Sequence, residues 1–240
     1  MPERPDLEYV VPILDRELRG RSIEAVRVLK ETGLLVSYGF MLFDPSSTFD
    51  SVRENIQFLR RIVGDGSTAA TFCRMLPYGG TPIRELLQRE GRLRVALTHP
   101  DYLFLDTRLN EYHRLLSRAA RPWLDQEGLS HQLSYAWDEL EAIRRLVPGT
   151  ARSEIYAAAL RILTAESNER LFRLVEESSL AFEKGDRTEL DLSRSRGYCD
   201  RASAQLVRLR NTFIADNIGL LAESVNPGCT SGPVLAPHVH

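Results

Sequence analysis

The apolar positions along the chain fall into two regimes, a mixed one first and a helical one after it. Leu7, Val10, Val11, Leu14 and Leu18 recur at helical spacing and predict an amphipathic helix over Asp6 to Leu18. Pro12 interrupts that pattern and Gly20 closes it, so a kinked or short helix is expected. Ser22 to Lys30 fits either state, because Ile23, Val26 and Leu29 suit a helix while the β-branched content suits a strand. After Gly33 the run LLVSYGFMLF, Leu34 to Phe43, reads as a buried strand ended by Pro45. Ser47 with Asp50 three residues on has the form of a capping-box start. Phe49, Val52, Ile56, Leu59 and Ile62 then give one apolar face to a helix reaching about Val63, closed by Gly64 and Gly66. A second apolar run, Ala69 to Leu76, reads as a strand. Thr81 and Pro82 suit the N-cap and first position of a further helix, with Ile83, Leu86 and Leu87 inside and Gly91 as its stop. Strand, helix, strand, helix with short turns is the sign of a parallel sheet with helices packed outside.

From about residue 107 the pattern is helical. Leu129, Leu133, Trp137, Leu140, Ile143 and Val147 mark one helix, stopped by Pro148 and Gly149. Another is expected from about Ser153 to Glu183, ended by Gly185, and a last one from roughly Leu190 to Glu223. The Pro- and Gly-containing tail after Asn226 is expected to be disordered, and no internal repeat is present. So few parallel strands leave sheet edges unpaired, so the sheet reads as part of a larger one.

Composition narrows the function more than the fold. The 240 residues are 43% hydrophobic and 27% charged, ordinary values for a globular protein. A formal net charge of −2 gives no global electrostatic case for nucleic acid or an anionic membrane. No run approaches the roughly 18 apolar residues of a membrane span, and MPERPDLEYV lacks the apolar stretch of a secretory signal. A cytoplasmic protein is expected. Cys73, Cys199 and Cys229 are scattered, whereas iron–sulfur and zinc sites usually draw closely spaced thiolates from one loop. His99, His113, His131, His238 and His240 show no i, i+4 pairing, so no bound metal is expected. Only Lys30 and Lys184 are lysines, which limits any mechanism that needs one.

Two segments carry a more specific likeness. ETGLLVSYGFMLFDPSSTFDSVRENIQFLRRI, Glu31 to Ile62, resembles the fifth strand and following helix of radical S-adenosylmethionine barrels. FCRMLPYGGTPIRELLQREGRL, Phe72 to Leu93, resembles the sixth strand, its loop and its helix. The FDP after the first strand and the later GLSHQLSYAWDELEAIRRL are most similar to the cobalamin-dependent branch of that superfamily. The resemblance implies an α/β fold, a partial parallel (β/α) barrel over 31–106 followed by a large α-helical block over 107–225. It also implies S-adenosylmethionine as cofactor, with Gly39, Met41 and Phe43 beside its adenine and Pro77 and Tyr78 over the same side. This sequence departs from the family at its C-x-x-x-C-x-x-C motif, which is absent together with the first four strands. Without three thiolates there is no cluster, and without a cluster no electron reaches the sulfonium. The expected protein is therefore inactive alone, or complete only with a protein partner that supplies the rest of the barrel.

Residues 1–30 tell a different story. MPERPDLEYVVPILDRELRGRSIEAVRVL resembles the start of formamidopyrimidine-DNA glycosylases. That resemblance implies Pro2 as an amine nucleophile and Glu3 as its acid/base partner, a chemistry those groups can perform. The family's early lysine and four-cysteine zinc finger have no counterparts: position 57 is Gln57, and no lysine falls between Lys30 and Lys184. Six basic residues in this segment balance six acidic ones, which gives little counterion-release affinity for DNA. A repair glycosylase or lyase acting on nucleic acid is the second reading, and a non-catalytic interaction module is the third. Asp138, Glu139 and Glu141 read as a solvated helix face, Gly79 and Gly80 as a turn, and nothing links Ser46, Ser47 and His99 into a catalytic group.

Overall fold

The computed structural model describes residues 16–32, 36, 38–95, 100–146, 151–186 and 192–225, without the side chains of 16–19, 95 and 216–225. The expected N-terminal helix pattern before residue 16, Pro2, Glu3 and the tail from 226 lie outside the described residues. The elements are α1 (Arg16–Glu31), β1 (Met41–Phe43), α2 (Phe49–Val63), β2 (Cys73–Arg74), α3 (Pro82–Arg89), β3 (Leu93–Val95) and β4 (Pro100–Tyr102). Four longer helices follow: α4 (Arg108–Leu124), α5 (Leu129–Leu146), α6 (Ala151–Glu183) and α7 (Leu192–Val225). The fold is mixed but dominated by helix, and no described helix is long and apolar enough to cross a membrane.

Gly20 does not end the first helix. α1 runs through it to Glu31, and the ambiguous stretch from Ser22 to Lys30 is helical throughout. A helix-interior glycine costs roughly 1 kcal/mol. Tertiary contact offsets this, because Ile23 and Val26 pack against the core and Lys30 reaches Asp65 at 2.9 Å. One helix thus crosses the expected join at residue 30.

α2 buries the face its spacing predicts, Phe49, Val52, Ile56, Leu59 and Ile62, with Asn55, Phe58 and Val63 added. Its N-cap is one residue later than expected. Thr48 accepts the Ser51 amide while the Ser51 hydroxyl accepts the Thr48 amide. Ser47 is buried and instead accepts the Asp44 amide at 2.9 Å, which shapes the turn after β1.

The two parallel strands are much shorter than the apolar runs that contain them. β1 pairs with β2 in parallel, Met41 opposite Cys73 and Phe43 opposite Arg74, so β1 spends one more residue than its partner. On the amino-terminal side the ladder gives way to a side chain. The Tyr38 hydroxyl donates to the Ala69 carbonyl at 3.1 Å and accepts the Thr71 amide at 3.2 Å. That phenol holds the two segments side by side where backbone pairing has stopped. Among the described residues neither strand has another strand neighbour. The hairpin β3–β4 is antiparallel and forms a second small sheet, in a stretch to which the sequence pattern assigned no element.

The four long helices pack on one another, and α6 also carries α2. Two indoles tie this block: Trp123 of α4 donates to the Ser167 hydroxyl and Trp137 of α5 to the Thr164 hydroxyl, both at 3.2 Å on α6. The Tyr112 hydroxyl of α4 donates to the Val175 carbonyl at 3.0 Å. One hydrophobic cluster runs from β1 and α2 through all four helices. Burying each such side chain contributes roughly 2 kcal/mol. The sheet is therefore attached to the bundle through a shared core rather than by a linker.

Candidate functional site

In open parallel sheets ligands gather outside the carboxyl ends of the strands, so the ends of β1 and β2 are the natural place to look. Gly39 is exposed, and a methyl group built on it would meet nothing within 4 Å. Met41 is 57% exposed, next to the exposed Cys73 on β2. Phe43 is 2% exposed and faces the opposite way, into the core. The irregular register between Met41 and Phe43 explains how two positions of the same parity face opposite sides. Pro77 is buried in the loop after β2, where its carbonyl accepts from Arg84 at 3.2 Å, while the neighbouring Tyr78 is 64% exposed. Gly39, Met41, Phe43 and Pro77 therefore do not share one surface.

What Phe43 does join is an aromatic cage that the sequence did not single out. Its ring meets Phe104 edge-on at 5.9 Å and His113 at 5.1 Å, and Tyr102 packs on Phe104 at 5.3 Å. Arg74, the last residue of β2, lies over this cluster with its guanidinium 3.9 Å from the Tyr102 ring centre and 4.5 Å from that of Phe104. Arg74 also donates to the Tyr102 carbonyl and pairs with Asp101 at 2.9 Å. A cation so placed gains from both ring faces and from the carboxylate. Burial, with Arg74 close by, pushes the His113 imidazole down to about 4, so it is neutral at physiological pH. Burial likewise pushes the Tyr102 phenol up to about 12.

This arrangement presents a fixed cation, a neutral imidazole and a phenol at the strand ends. Chemically it holds the parallel pair against the β3–β4 hairpin and α4. The alternation of Tyr102 and Phe104 in the segment HPDYLF is the signal that could have revealed it.

The described residues do not fit an iron–sulfur cluster. Cys73 is exposed on β2, Cys199 is buried on α7, and Cys229 lies outside the described residues. No described group of three His, Cys, Asp or Glu side chains could hold a metal ion. Gly79 and Gly80 form an exposed turn, with Gly80 at φ +79. Asp138 is exposed, Glu139 pairs with Arg210 of α7, and Glu141 pairs with Arg145 at 3.4 Å. His99 lies outside the described residues. No protein-family model matches the chain, and no curated protein and no solved structure shows significant similarity to it.

Proposed function

We propose that this chain is a non-catalytic relative of radical S-adenosylmethionine barrels, the carboxyl-terminal part of a partial parallel (β/α) barrel, whose sheet is completed by a partner protein. The observation that carries the reading is the parallel pairing of β1 with β2 across α2, with no further strand on either side among the described residues. Parallel sheets are ordinarily extended and covered on both faces. Here Met41 and Cys73 are exposed on the pair, and Leu76 and Tyr78 are exposed just beyond it. Exposed apolar groups beside an open strand edge are a template for strand addition. The expected occupant is a chain that adds parallel strands with their own helices, because that is what the resemblance at 31–93 leaves missing.

Cys73 makes the reading testable. Maleimide labelling of Cys73 is compared in a native extract and on the purified chain at the same pH, read by peptide mass. The expected result is at least tenfold slower labelling in the extract, and equal rates would overturn the partner. Anaerobic treatment with iron and sulfide tests the non-catalytic half. A stoichiometric four-iron cluster that cleaves S-adenosylmethionine would show an active enzyme instead.

A further inference from the structure

A cleft of about 550 Å³ lies between α6 and α7. A recess of about 400 Å³ continues it along α7, and both are lined by Glu166, Arg170, Tyr198 and Arg201. Five arginines face this space, Arg170, Arg173, Arg194, Arg201 and Arg208, against three glutamates, Glu166, Glu169 and Glu177. The local excess is positive in a chain whose formal charge is −2. Two of the glutamates are already held: Glu169 by Arg60 at 3.0 Å and Arg173 at 2.8 Å, and Glu166 by Arg170 at 3.4 Å. Arg201 and Arg208 have no carboxylate partner among the described residues. Seven residues apart, they share a face of α7 and lie about 10 Å apart along its axis.

Tyr198 is the second, independent feature. The residue is 8% exposed, and its buried hydroxyl, approached by the Arg170 guanidinium, finds no acceptor for its own proton among the described residues. Such an orphaned donor is costly and calls for an acceptor. Its ring is held on one side by Trp123, at 5.8 Å between ring centres, and by the Arg170 guanidinium at 4.4 Å. Burial pushes the pKa of the phenol up to about 12, so it remains a donor at neutral pH.

We propose that this cleft binds a small diphosphate-type anion. A single phosphate reaches one of the two unpaired arginines, whereas two linked phosphoryl groups bridge Arg201 and Arg208, as guanidinium–phosphate geometry favours. A small shift of Arg170 uncovers the Tyr198 hydroxyl for a phosphoryl oxygen. The Tyr198 ring is already covered by Trp123 and Arg170, so no base or ring is needed for stacking. The shared chemistry is the diphosphate, free or carried on an organic ester. This inference does not rest on the barrel reading, since the cleft belongs to the helical block.

The test is calorimetric titration of the full chain with inorganic pyrophosphate at low salt, followed in parallel by the emission of Trp123 and Trp137. One site is expected, at least tenfold tighter for pyrophosphate than for inorganic phosphate. A nucleoside diphosphate as a second probe separates the sources: tighter binding than pyrophosphate marks an organic ester, and equal binding marks the free anion. The Arg201→Gln/Arg208→Gln variant is expected to lose at least tenfold in affinity, and Tyr198→Phe several-fold with an unchanged or higher melting temperature. Arg89→Gln, an exposed arginine on α3, is expected to bind as the parent does. Absence of binding by both diphosphates, or undiminished affinity in the double variant, would overturn the site.

Discussion

Asn168 of α6 accepts the Ala70 amide at 2.7 Å, a bond that joins the loop entering β2 to the helical block. The same side chain donates to the Val63 carbonyl at 2.8 Å and the Thr68 carbonyl at 2.9 Å, and it is only 2% exposed. A single amide thus satisfies the end of α2 and both sides of the loop. Asn168→Ala removes these three bonds, leaving the Ala70 amide without its partner and the Val63 carbonyl with the Gly66 amide alone. A loss of about 3 kcal/mol is expected, read as a lower urea midpoint with an unchanged slope.

Gly66 sits in the same loop at φ +75, and a methyl group there would lie 2.2 Å from the Arg161 carbonyl oxygen and 2.8 Å from Ala165. Gly66→Ala forces backbone apart from backbone and also strains a left-handed residue. It is expected to cost on the order of 3 kcal/mol. Gly80→Ala, at φ +79 but in open space, is expected to cost about 1 kcal/mol. Equal melting temperatures for the two variants would contradict the close approach.

His113 sets a pH dependence. Its folded value is about 4 against an ordinary 6.5, with burial the first cause and Arg74 the second. The unfolded chain therefore takes up the proton first as pH falls. The stability this group contributes is present above about 6.5 and is lost progressively down to about 4. The span corresponds to roughly 3 kcal/mol as an upper bound. His113→Phe keeps the ring contacts and removes the proton site. Between pH 7 and 4.5 the parent should lose more stability than this variant, and parallel losses would show that other groups carry the acid transition.

Tyr156 stacks on Phe213 with ring centres 4.3 Å apart and planes within 5°, yet its buried hydroxyl has no partner among the described residues. Tyr156→Phe keeps the stack and removes an unpaired polar atom, so thermal unfolding should show no change or a gain of up to about 1 kcal/mol. Tyr156→Ala should cost about 3 kcal/mol.

Met41 separates folding from docking. Because it is 57% exposed, Met41→Lys should change stability by no more than about 0.5 kcal/mol. A lysine on that open face opposes strand addition. Labelling of Cys73 in the extract should then rise to the rate of the purified chain, and continued protection would place the partner elsewhere.

The sequence by itself determined where most helices lie and which faces they bury. Phe49, Val52, Ile56, Leu59 and Ile62 read correctly because helical periodicity is a local property of the chain. The same is true of the pattern behind α5 and α6 and of Pro82 at the start of α3. Tertiary structure decided the length of the strands, because an apolar run becomes a strand only where a neighbour offers its backbone. Here the Tyr38 hydroxyl took that place for part of each run. It also decided that Gly20 sits inside a helix, since packing of Ile23 and Val26 outweighs one residue's propensity. The diverging faces of Met41 and Phe43, the cage around Arg74 and the cleft between α6 and α7 join residues far apart in the chain. No local pattern encodes such contacts, which exist only once the core has closed around them.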